Sequence, residues 1–578
     1  MSEPTESGAT RRSFLKIGGA AAAGVAGAAA CTRPVAAGTP SPPCPALAGA
    51  EQIAGITYTE AQRAQMEGAL EQQLIAAQAL RAAEKPNSLA PATVFDPRLP
   101  GKAYPLAAAE TRVSVPAPPL GAKPSEDDVA FATIPQLGAW LRSRVVTCAY
   151  VTEAFLSRIA RLDPLLFAYI TVMPDRARAE AAALDAEIAR GHWRGPLHGI
   201  PYGLKDLFDA DGAPVTWGAE PYRDEQPKGD AAIVRRLKEA GAVLLGKTSC
   251  GALAYGDIWF GGTTRNPFDP RESSSGSSAG SASAVAAGLC AFAIGTETLG
   301  SLVSPSMRCG TTALRPTFGR VSRAGGMALC WSLDKVGPMT RSVADCALVM
   351  AAINGFDADD AGSIETGFAF ESGKGVAGLR LGYDPAWLEA ATPVEKQAME
   401  AALALGAELQ EFRLPDLPAG QFMLQLMAEA AAAFEDLTLS GRDAELSWQD
   451  DVAWPNSFRA ARFISAIDLI NADRIRRQWM EALDAAFAPV DVVIGPSFSA
   501  GLLAPTNFTG HPCLAMRAGF QETRPRSIFD VEAEPEAEPA RTPVAISLWA
   551  PLFGESAMLT FGEKLEGALG VANERPAI

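Results

Sequence analysis

The chain is 578 residues long, with 48% hydrophobic and 20% charged residues. That length and balance allow a large core and exclude a wholly disordered or collagen-like chain. Fifty Lys and Arg against 66 Asp and Glu leave a formal charge of −16, and no basic stripe interrupts the acidic background, so nucleic acid is excluded as a partner. Three histidines and nine cysteines without a CxxC pair supply neither a His-rich metal centre nor a structural zinc site. No metal and no cofactor are expected.

The amino terminus carries Thr10-Arg11-Arg12-Ser13-Phe14-Leu15-Lys16 ahead of the small, apolar run Ile17 to Ala30. Paired arginines before an apolar stretch too short and weak to span a bilayer are the pattern of a twin-arginine-type signal peptide, assigned to residues 1–30. This implies recognition by the twin-arginine export machinery and a periplasmic destination, with no stable membrane span. Two outcomes stay open: cleavage after an Ala-x-Ala-type site at Ala28 to Ala30, or lipid attachment at Cys31, because Ala28-Ala29-Ala30-Cys31 is a variant lipobox. Twin-arginine cargo folds in the reducing cytoplasm, so the remaining cysteines are expected as buried free thiols.

Residues 31–57, rich in Pro, Ala, Ser and Thr from Val35 to Pro45, are predicted to be a flexible linker. Residues 58–125 form a separate region. Thr59-Glu60-Ala61-Gln62 has the form of a capping box, and Met66, Leu70 and Leu74 recur every four residues, predicting a helix to about Ala83. Nine prolines between Pro86 and Pro124 then exclude long helices and central strands and predict an extended wrap.

From 126 to 578 the texture is α/β. Val151, Phe155, Ile159 and Leu162 sit at helical spacing, Phe167 to Val172 reads as a strand, and an alanine-rich helix follows to Arg190. Ile200 to Leu204 leads into Lys205, a helix is predicted around Ala231 to Ala240, and Ala242 to Leu245 is apolar. Residues 417–487 read as mostly helical. Val531 to Pro539, acidic and proline-punctuated, reads as a solvated loop.

Two motifs mislead. Gly241 to Thr248 matches the phosphate-loop pattern, but a helix precedes it and its four interior residues are the best strand candidate nearby, the reverse of the strand-loop-helix context that phosphate binding needs. Gly276-Ser277-Ser278-Ala279-Gly280 matches the nucleophile elbow of the α/β-hydrolases. The stretch before it, Asn266 to Ser273, reads as loop, and the only downstream histidine is His511. An esterase using Ser278 and His511 is therefore carried only as an alternative.

Gly199-Ile200-Pro201-Tyr202-Gly203-Leu204-Lys205-Asp206, Ser275-Gly276-Ser277-Ser278-Ala279-Gly280-Ser281, Gly295-Thr296-Glu297-Thr298-Leu299-Gly300-Ser301 and Gly310 to Ser322 resemble, in order and flanks, the motifs of the amidase signature family. Supporting matches at Asp334 to Ser342, Asp491 to Pro496 and Gly510-His511-Pro512 extend the resemblance from about 130 to about 575. The resemblance implies an amidase signature fold, with a mixed β-sheet sandwiched by α-helices. It implies hydrolysis of a small-molecule or peptide amide through an acyl-enzyme, with Ser301 as nucleophile, Ser277 as a bridging serine after a cis peptide, and Lys205 as base. Backbone N–H groups of Thr298, Leu299, Gly300 and Ser301 are the implied oxyanion hole.

These residue types suit that chemistry. A serine hydroxyl needs a neighbour to take its proton, a lysine does so only when neutral, and burial disfavours its charged form. A serine between them accepts from one and donates to the other, with no histidine involved. The chain departs from the family where Asp, Gly and Arg are usual: it has Glu297, Leu299 and Val303. Those departures re-aim the pocket or, as a second reading, leave an amidase-fold protein that only binds.

Overall fold

The computed structural model describes residues 45–106, 111–498, 500–527 and 536–578. The predicted signal peptide, Cys31 and the first five residues of the acidic loop lie outside the described residues. The chain divides into two compact units, Met1–Glu84 and Lys85–Ile578.

In the first unit, the expected linker is interrupted by a helix, Pro45–Ala54. Its alanine-rich sequence favours helix, and Glu51 accepts hydrogen bonds from Arg63 Nε at 2.8 Å and Nη2 at 2.7 Å. The second helix, Glu60–Ala82, begins with the capping box expected from Thr59 and Gln62.

The second unit is built on one eleven-stranded sheet. From one edge its strands run Glu408–Glu411, Arg380–Tyr383, Val492–Pro496, Ala540–Trp549, Cys513–Thr523, Thr312–Arg315, Lys335–Thr340, Phe292–Glu297, Pro201–Lys205, Val243–Thr248 and Tyr169–Val172. Pro201–Lys205 lies parallel to both Phe292–Glu297 and Val243–Thr248, whereas Lys335–Thr340 is antiparallel to Phe292–Glu297. The sheet is therefore mixed, with helices on its faces, as the resemblance implied. Among the described residues no helix is long and apolar enough to cross a membrane.

The helix predicted from Val151, Phe155, Ile159 and Leu162 spans Cys148–Leu166 and buries all four. Thr147 accepts from Tyr150 N–H at its start, and the Asp185 carboxylate takes the N–H groups of Cys148 and Ala149. The apparent phosphate loop is the Val243–Thr248 strand after the Ala232–Glu239 helix. Residues 85–125 hold no helix and one three-residue strand, Arg112–Ser114, among those described. They belong to the same compact unit as the sheet, which starts well before residue 126.

The stretch before the apparent elbow is not all loop. Asp269–Ser273 is a strand, paired in a small hairpin with Arg265–Asn266 outside the main sheet. The two-residue connection Pro267–Phe268 lets this short ladder form despite its proline. The Gly/Ser stretch is a close-packed part of the core. All eight residues of the Ala279–Ala286 helix are buried, and a Cβ at Gly280 would lie 2.1 Å from Ala168 O. At Gly276 it would lie 1.9 Å from Gly256 O. Only glycine permits such an approach of backbone to backbone. The seven described cysteines are free and buried.

Candidate active site

Lys205 ends a strand whose five residues are all buried, and its own side chain is wholly enclosed. Its Nζ donates to Ser277 Oγ at 2.8 Å, Ser278 Oγ at 3.1 Å and Thr296 Oγ1 at 2.8 Å. Among the described residues no carboxylate forms an ion pair with it. The neighbouring Lys247 does have one, Asp206 Oδ1 at 2.5 Å, with both side chains fully buried. An enclosed ammonium surrounded only by hydroxyls is poorly compensated. Burial accordingly lowers the Lys205 pKa to about 8.

The three hydroxyls around Nζ are not equivalent. Ser278 Oγ also donates to Thr296 O at 3.0 Å and accepts from Thr296 N–H at 3.1 Å, so its bonding capacity is used within the fold. Ser277 Oγ has no further hydrogen-bond partner among the described residues, which leaves its own proton free to be directed. The Gly276–Ser277 peptide is cis, as the resemblance implied. Ser275, one residue before Gly276, ties this loop to the next through its hydroxyl, 2.5 Å from Ser304 Oγ.

Ser301 lies on the loop between the Phe292–Glu297 strand and the Val303–Cys309 helix. Its carbonyl accepts Ser278 N–H at 3.2 Å, which brings the two motifs together. Its hydroxyl, partly exposed, makes no hydrogen bond among the described residues, so the Ser277 to Ser301 link is open here. Such bonds are commonly long in substrate-free sites and tighten with substrate. The N–H groups of Thr298, Leu299, Gly300 and Ser301 likewise find no acceptor among the described residues, an arrangement able to receive an oxyanion.

Glu297 shapes this loop. Fully buried, it accepts from the N–H groups of Leu302 at 2.8 Å and Val303 at 3.1 Å, from Arg315 Nη1 at 2.7 Å and from Asn507 Nδ2 at 2.9 Å. Burial alone would raise its pKa, but the Arg315 guanidinium outweighs it and holds the carboxyl at about 2. The longer acid in place of Asp thus serves as an internal clamp. Leu299 and Val303 join an apolar cluster with Leu333, Trp479 and Phe508.

His511 does not meet Ser278. Its Nδ1 pairs with Thr509 Oγ1 at 2.8 Å, its ring stacks on Phe487 at 5.0 Å, and burial, then Arg315, lowers its pKa to about 3. The reading with Ser278 and His511 is therefore corrected, because Ser278 is occupied by Lys205 and Thr296. The His511 carbonyl contributes instead by accepting Arg315 Nη2 at 3.0 Å.

Sequence reasoning did not single out Thr296, Asp334, Arg315 or Asn507. Asp334, partly buried, receives Thr298 Oγ1 at 2.6 Å and the N–H groups of Leu329 and Cys330 at 2.8 and 3.0 Å. Burial raises its pKa. The available signal for Thr296 was strand alternation, which sets it on the opposite face from Glu297. A cavity of about 280 Å³, lined by Thr296, Thr298 and Asp334 among others, opens beside these groups.

Fold and site together define an amidase: residues 150–559 match the Amidase family model, and the chain belongs to that family of amide-hydrolysing enzymes. Among its relatives, a glutamyl-tRNA(Gln) amidotransferase subunit of Methylobacillus flagellatus is 33% identical over 74% of this chain and 95% of its own length. An amidase of Pseudomonas putida is 38% identical over 63% of this chain and 79% of its own. The solved peptide amidase of Stenotrophomonas maltophilia shares 29% identity, with a TM-score of 0.64 over 77% of this chain and 98% of that structure.

Proposed function

We propose that this amidase cleaves a carboxylic amide through an acyl-enzyme formed on Ser301, with Ser277 and Lys205 as a proton relay. Neutral Lys205 takes the Ser277 proton while Ser277 takes that of Ser301, and the Ser301 oxygen attacks the amide carbonyl. The developing oxyanion is received by the N–H groups of 298 to 301. The relay returns the proton to the leaving ammonia or amine, and water then cleaves the ester by the same route. The observation that carries this reading is Lys205: enclosed, without a carboxylate, and bonded to a serine whose hydroxyl is otherwise unengaged among the described residues.

Hydrolysis rather than amide transfer to a tRNA is favoured by Thr10 to Lys16, which supports export through the twin-arginine route. Lipidation at Cys31 is an alternative fate after export. The decisive experiment treats purified protein with a fluorophosphonate and maps the adduct by mass spectrometry. Ser301 is expected to be the labelled residue, with labelling and turnover of a simple amide both lost in Ser301→Ala. A labelled Ser278, or turnover retained in Ser301→Ala, refutes the assignment.

A further inference from the structure

The cavity beside the loop of Ser301 contains a wall that the family match does not include. Thr296, which accepts from Lys205 Nζ, and Thr298, in the oxyanion loop, both line it, so it adjoins the proposed chemistry. Its volume of about 280 Å³ is roughly twice the ~150 Å³ of an apolar cavity that accepts benzene. Much of its lining is apolar, including Leu207, Phe208, Met327, Trp331 and Val336.

The charged groups in the lining are engaged. Arg323 is bound to Asp360 at 2.7 Å and donates to Trp331 O at 2.6 Å, and Arg235 lies 3.9 Å from Asp359 and donates to Asp230 O at 2.8 Å. Asp334 holds Thr298 and two N–H groups, and Lys335 Nζ donates to Leu333 O. A charged substituent entering here would lose its water without gaining an unengaged counter-charge.

The outer wall comes from Asn87, Ser88 and Ala90, which precede the matched residues 150–559. Asn87 is bound like a strand partner: Nδ2 donates to Ala328 O at 2.8 Å, Ala328 N–H donates to Oδ1 at 2.8 Å, and Trp331 Nε1 donates to Asn87 O at 3.3 Å. One residue therefore fixes both the incoming chain and the loop bearing Met327 and Trp331. The wall also separates two spaces. Ala90 and Trp331 line a second cavity of about 900 Å³ as well.

We propose that this cavity selects one uncharged substituent of the amide, of aromatic or branched-aliphatic size, and that Asn87 is a positioning residue for it. The inference rests on the acyl-enzyme reading above. The test uses the full chain and two matched series, R–CO–NH2 and CH3–CO–NH–R, with R as methyl, phenylethyl or carboxyethyl. In one series kcat/KM for phenylethyl is expected to exceed that for carboxyethyl by about a hundredfold or more, the size of preference that desolvating an unpaired charge produces. Asn87→Ala is expected to raise KM for phenylethyl about tenfold, as loss of ground-state binding does, with fluorophosphonate labelling of Ser301 retained. Ala90→Trp, at an exposed position, is expected to lower kcat/KM for phenylethyl by a larger factor than for methyl. Equal turnover of carboxyethyl and phenylethyl overturns the inference, as do two variants that treat phenylethyl like the parent. If those results appear with Ser301 still labelled, the pocket assignment alone falls; if Ser301 is never labelled, the acyl-enzyme reading falls with it.

Discussion

If Lys205 acts as a base only when uncharged, its depressed pKa sets the pH profile. With a pKa of about 8, about 9% of the amine is neutral at pH 7, against about 0.04% for an unperturbed lysine near 10.4. Burial thus raises the active fraction about two hundredfold. With an amide that does not titrate, kcat/KM is expected to rise about tenfold per pH unit below 7, bend near 8 and flatten by 9. Lys205→Arg, whose guanidinium stays charged, is expected to abolish turnover across that range.

A linked stability measurement checks the same group. The folded pKa lies below the unfolded one, so the burial penalty is complete below pH 8 and disappears as pH rises towards 10.4. The stability of the parent relative to Lys205→Met is then expected to grow by about 2 kcal/mol between pH 8 and pH 10, read by urea unfolding. Burial also lowers the pKa of Lys335, so Lys335→Met is the control and should leave the kinetic midpoint in place. A flat profile from pH 6 to 9, or a midpoint that moves with Lys335 instead, refutes the reasoning.

Ser277→Ala should lower kcat about 10² to 10⁴-fold, the usual contribution of positioned proton transfer, and steady-state turnover unchanged from the parent would remove Ser277 from the relay. Glu297→Gln leaves buried Arg315 without its carboxylate and should cost about 3–5 kcal/mol in urea unfolding. That contribution is present above the unfolded pKa of about 4.3 and lost as pH falls towards about 2; a loss of stability independent of pH between 2 and 6 contradicts it. His511→Asn should remain active within a few-fold, because His511 is neutral and bonded to Thr509. A thousandfold drop in kcat with an unchanged circular dichroism spectrum would restore a catalytic imidazole.

Local and repeated signals were legible in the chain. Val151 to Leu162 declared a helix through spacing alone, Thr59 and Gln62 declared a cap, and the motifs around Lys205, Ser277 and Ser301 carried their own order. Each depends on neighbours in sequence or on residue type, and so survives without coordinates. The helix at Pro45–Ala54 and the strand at Asp269–Ser273 were missed because their proline-rich and polar surroundings mask short-range pairing. Thr296 against Lys205, Arg315 against Glu297 and Asn87 against Ala328 join residues 91, 18 and 241 positions apart. No local propensity encodes such meetings. They arise from the order in which strands enter the sheet, and that order settles which amine is buried without a counter-charge and which distant segment closes the pocket.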